Sequence, residues 1–171
     1  SEELCLTREQ QTKVRKFVVN IRCEKPLALI DAYYMDDGQA LCPAATGISH
    51  HVSPFGDVEP CPIIQFANEK IQDNDGDIYK TMTESPLLKD FRKTAAGATQ
   101  GCIVLERQDL LKEIVTRQGA GDTTIRQTAG TELDGLQSRP SQYNPGNGIP
   151  EENWVYRFAK KHWFFGFGAY T

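Results

Sequence analysis

The chain has 171 residues, of which 39% are hydrophobic and 25% charged, and its formal net charge is −4. Those proportions are ordinary for a soluble folded protein, and the acidic balance gives no basic footprint for nucleic acid. No apolar run approaches the roughly 18 residues a membrane-spanning helix requires, and no signal peptide opens the chain.

Residues 1–35 read as a helix followed by a strand. Thr7-Arg8-Glu9-Gln10 has the pattern of a capping box, and Val14, Phe17 and Val18 then recur at helical spacing. Leu27 to Tyr34 is a largely apolar run of strand length, the pairing expected of one unit of a parallel α/β sheet or barrel. Residues 36–117 read as a small α+β domain. Ile48 to Val52 and Val58 to Ile64 flank the turn Ser53-Pro54-Phe55-Gly56 as a hairpin. Ser85-Pro86 opens a helix carrying Leu87, Leu88 and Phe91, and a second helix is expected over Asp109 to Arg117. Residues 118–149 are rich in Gly, Thr, Gln, Ser, Asn and Pro and read as a surface loop or linker. Residues 150–171 hold eight of the sixteen aromatics and read as a C-terminal helix and tail. Trp154, Phe158 and Phe165 share one face, expected to dock on the core, and Gly166 and Gly168 end it.

Five cysteines, an odd number at irregular spacing, fit thiolate ligands in a reducing cytosol better than a disulfide framework. Cys42 and Cys61 are each followed by proline, and Pro60 precedes the second. Stiff, turn-bound thiols of this kind suit a metal or iron–sulfur cluster, with Cys102 as the third candidate ligand. His50 and His51 lie between the first two. Neighbouring residues on a strand face opposite ways, so at most one would reach a metal. With a histidine, the three cysteines could also build a zinc site, the alternative reading: a small structural or interaction module. A plain α+β fold without metal is the third reading.

Two further patterns are set aside. Asp73-Asn74-Asp75-Gly76-Asp77 has the composition of a calcium loop, but its glycine and acidic positions fall out of register, so it reads as a solvated acidic turn. Gly119-Ala120-Gly121-Asp122 lacks the Lys-Ser/Thr of a phosphate loop.

The spacing Cys42-x13-Gly56-x4-Cys61, followed by Gly101-Cys102, resembles the auxiliary-cluster region of radical S-adenosylmethionine (SAM) enzymes, of the SPASM or shortened twitch type. The resemblance covers roughly residues 1–110, with 1–35 similar to the last helix and strand of the radical SAM barrel. It implies an auxiliary [4Fe–4S] cluster on Cys42, Cys61 and Cys102, with Gly56 shaping the turn. Cys23, His50 or His51 would be the fourth ligand, or one iron would stay open to substrate. Asp57 and Glu59 would make the surroundings negative if they point inward. Cys5, on the outer helix, has no role in that scheme. The Cys-x3-Cys-x2-Cys signature of the SAM-cleaving cluster is absent, as is the cysteine-rich remainder of a full SPASM region. The expectation is therefore the C-terminal part of a longer cytoplasmic enzyme, without catalytic residues or activity of its own. Its partners would be the missing N-terminal barrel with SAM and a second [4Fe–4S] cluster, an unknown substrate, and an electron donor such as a ferredoxin or flavodoxin.

Overall fold

The computed structural model describes residues 6–27, 29, 34–47, 49–141, 143 and 148–164. Helices dominate, and the strands are two residues long, so the architecture is mixed helix and sheet. Helix α1 (Arg8–Glu24) starts with the expected capping box: Gln10 N donates to the Thr7 hydroxyl, and Thr7 N donates to the Gln10 amide oxygen at 2.8 Å. Its buried side chains are Arg15, Val19 and Arg22, whereas Val14 and Phe17 of the expected apolar stripe are exposed. The helix therefore rests on its neighbours through a polar face. The proposed strand after it lies mostly outside the described residues.

The hairpin forms as expected but short. β1 (His51–Val52) pairs antiparallel with β2 (Val58–Glu59), placing His51 opposite Glu59. β3 (Phe66–Ala67) pairs instead with β4 (Gly121–Asp122), which follows the fifth helix in the chain. Between them lies a 3₁₀ turn, Ile71–Asn74, then α2 (Ile78–Glu84) and α3 (Pro86–Ala95). The acidic turn serves as capping machinery, because Asp73 accepts from Lys70 N and Asp77 from Lys80 N. Ser85 caps α3 as the sequence indicated. α4 (Ile103–Glu106) and α5 (Gln108–Gln118) follow, and Gly119 closes α5 in the left-handed conformation.

One contiguous apolar cluster, running from Ala44 to Leu133 in sequence, forms the core. α3 supplies Leu87, Phe91 and Ala95, and α5 supplies Leu111 and Ile114. The expectation of a loop over 118–149 is corrected here. That stretch contains β4 and α6 (Ala129–Gly135), and Ala129 and Leu133 are core members. Two apolar contacts and a cap suffice for a short helix that packing, not propensity, stabilises. The Asp122 carboxylate supplies that cap, accepting from Ala129 N at 2.7 Å.

A second assembly joins α1 to α7 (Trp154–Ala159) through buried charge. Glu151 is 1% exposed and accepts from the Arg22 guanidinium at 2.5 Å. Asn153 caps α7 and donates to the carbonyl of Arg22. Lys160, fully buried, donates to the Tyr34 carbonyl. This geometry corrects the expectation for the aromatic tail. Trp154 is 72% exposed and Phe158 half exposed, while the buried positions are Ala159 and Lys160. Burying the ammonium rotates the aromatic side of the helix outward. Phe165, Gly166 and Gly168 lie outside the described residues.

Candidate metal centre

Cys42 and Cys61 are both half-buried and both packed against the apolar core. Each begins a turn, and the proline at the next position has no N–H. Thr46 N donates to the Cys42 carbonyl at 3.2 Å and Ile64 N to the Cys61 carbonyl at 3.1 Å, which closes the two turns. Nearby backbone N–H groups favour the thiolate, those of Ala44 and Ala45 at Cys42 and those of Ile63 and Ile64 at Cys61, but burial outweighs them.

Cys102 stands immediately before α4. The loop that presents it is pinned by Glu106, whose carboxylate accepts from Thr99 Oγ1 at 2.8 Å and from Gln100 N at 3.0 Å. Gly101 is required by close approach: a Cβ there would sit 2.7 Å from Glu106 Oε1 and 3.0 Å from the Tyr143 ring.

Burial pushes the Cys42 thiol up, with smaller contributions in the same direction from Cys102 and Cys61. Burial likewise raises Cys61, with Cys102 and Glu59 adding to it. Among the described residues, no group of three or more His, Cys, Asp or Glu side chains is placed to hold a metal ion.

The other candidates are distributed as follows. Cys23 is exposed in the last turn of α1, and Cys5 lies outside the described residues. His50 is half-buried beside the Pro60 carbonyl, next to Cys61 in sequence. Burial lowers its pKa, and the positive charge of Arg92 adds to that against the carbonyl's opposite pull. His51 is engaged elsewhere, its Nδ1 lying 2.6 Å from Glu59 Oε2. Glu59 is buried and its other oxygen accepts from the Thr123 hydroxyl. Asp57 is held by the Ser53 hydroxyl at 2.6 Å and by Lys70 at 3.1 Å. Burial alone would raise its pKa, but these two partners outweigh it and leave the carboxyl below its ordinary value.

Gly56 has φ +86°, a conformation that side-chain-bearing residues rarely adopt, and a Cβ would collide with the Gln72 side-chain amide. Its carbonyl accepts from Ile71 N, and its N–H donates to the Ser53 carbonyl, so this residue ties the hairpin turn to the 3₁₀ turn. Glu106 and Thr123 were not apparent from the sequence. Each acts on a partner fixed only by the fold, and no local pattern marks either one.

No family model matches the chain, and no curated protein or solved structure is similar enough to count as a match.

Proposed function

We propose that this chain is the auxiliary-cluster region of a radical SAM enzyme, with Cys42, Cys61 and Cys102 as ligands of a [4Fe–4S] cluster. The observation that supports the reading is that Cys42 and Cys61, each followed by proline, are half-buried against one apolar core, with a third half-buried cysteine, Cys102, immediately before α4. The zinc module would use the same three thiols with a histidine as fourth ligand, whereas the cluster needs sulfide as well as iron.

Bound there, such a cluster would supply an iron open to substrate or a relay for electrons. The protein's own part would be to present three thiol ligands and to shield two of them, Cys42 and Cys61, with the apolar core. Glu59 adds negative charge beside Cys61. His50 is the best-placed candidate for a fourth ligand, through its position beside Pro60. The SAM-cleaving cluster, the barrel that carries it, and a ferredoxin- or flavodoxin-like donor in the cytoplasm would complete the enzyme.

The test is anaerobic reconstitution with iron and sulfide. About four iron and four sulfide per chain are expected, with loss of both in Cys42→Ser, Cys61→Ser and Cys102→Ser and retention in Cys23→Ser. Stoichiometric zinc without acid-labile sulfide would replace this reading with the zinc module. Reconstituted protein given SAM and dithionite should form no 5′-deoxyadenosine, since the sequence has no Cys-x3-Cys-x2-Cys.

A further inference from the structure

Beside the hairpin, a cavity of about 360 Å³ opens between the 53–55 turn and the segment following β4. Its size is at the small end of ligand pockets. The hydroxyls on its wall are already committed within the protein. Ser53 donates to Asp57, Thr123 to Glu59, Thr124 to Asp122 and Thr128 to Glu132. They brace the wall and leave its recognition chemistry to other groups.

The other polar side chains that line it are those of Arg126, Gln65, Glu132 and His51. His51 is oriented from behind, because the buried Glu59 carboxylate accepts at Nδ1 and so fixes which ring edge remains for a ligand. Two carboxylates stand against one guanidinium and one imidazole, so the wall offers no surplus of positive charge for a phosphate or a dicarboxylate. It offers donors and acceptors in pairs, the match for adjacent hydroxyl groups. Phe55 and Ile125, both more than half exposed, give the rim two apolar surfaces suited to the C–H face of a ring.

We infer that this cavity binds a small uncharged polyhydroxylated ring, a monosaccharide or cyclitol, with Arg126 and Gln65 bridging neighbouring hydroxyls. The site does not depend on the cluster reading, and its test can succeed or fail separately from it.

The full chain is titrated with D-glucose and myo-inositol, with inorganic phosphate and glutarate as charged comparators, using ligand-observed saturation-transfer NMR. Hydrogen exchange with and without saturating ligand locates the binding. Saturable transfer from at least one polyol is expected, with added protection confined to residues 51–65 and 121–132. Arg126→Ala, an exposed position whose loss leaves the core intact, should weaken binding about tenfold, and Gln65→Ala should weaken it in the same direction. Binding of phosphate or glutarate without either polyol would overturn the inference. So would an Arg126→Ala variant with unchanged affinity, or the absence of binding by both polyols.

Discussion

At the scale of single residues, one backbone constraint shapes the turn that leads to Cys61. Gly56 sits at positive φ between the hairpin turn and the 3₁₀ turn, five residues before Cys61. Alanine in that conformation costs about 1–2 kcal/mol through the backbone alone. The collision with the Gln72 amide adds less, because a flexible side chain can move away. Gly56→Ala should therefore lower stability by about 1–2 kcal/mol and reduce iron retained after reconstitution, although no ligand is touched. Gln72→Ala added to it should restore little of either loss. Full restoration by the second change would assign the role of Gly56 to steric room and not to its dihedral angle. Denaturant titration of the two variants, with iron analysis, separates these outcomes.

At the scale of elements, α3 and α5 form the most legible part of the chain, and also a part whose pH response is predictable. Leu87, Leu88 and Phe91 announced a buried helical stripe, and each is no more than 1% exposed. Removing the largest of them, Phe91→Ala, should cost about 3–5 kcal/mol, measured by urea denaturation. The same two helices are tied on their outer edge by Asp90, which accepts from Arg117 Nε at 2.9 Å and from Gln118 Nε2 at 2.7 Å. Burial would raise the Asp90 pKa, but the Gln118, Arg117 and Thr94 partners together bring it below the ordinary carboxylate value. A depressed folded-state pKa contributes stability that is fully present above the unfolded-state value near pH 3.9 and is lost as pH falls through the folded-state value. Asp90→Asn should accordingly lower the urea midpoint at pH 7, with the deficit shrinking below about pH 4. A deficit independent of pH would place the effect of Asp90 in packing and not in charge. By contrast, α6 was illegible. Its sequence is poor in large apolar residues, and its stability comes from two core contacts and a cap from Asp122, seven residues before the amide it accepts from. Periodicity reports a continuous buried stripe, and a helix holding two buried residues has none to report.

At the scale of the whole molecule, two kinds of interior lie side by side. The apolar cluster runs from Ala44 to Leu133 and includes neither α1 nor α7. On and beside those two helices, Val19 and Ala159 are buried together with the charged groups of Arg15, Arg22, Glu151 and Lys160. Part of the first interior could be read from the sequence, because the apolar spacing of α3 and α5 is local. The second could not, since Arg22 and Glu151 are 129 residues apart and each alone reads as a surface charge. The difference also predicts how the molecule comes apart. Removing one member of a buried ion pair leaves an uncompensated charge and costs about 3–5 kcal/mol. Glu151→Ala should impose that cost on α1 and α7, because Arg22 loses its carboxylate while still inside. The apolar cluster, with Cys42 and Cys61 packed against it, should be largely unaffected, being built from other residues. In hydrogen exchange, amides of α1 and α7 should therefore lose protection in Glu151→Ala while those of α3 and α5 keep it, and reconstituted iron should stay close to the parent level. Equal loss of protection across all four helices would mean that the two interiors unfold as one cooperative unit, with the buried charges supporting the cysteine-bearing core as well.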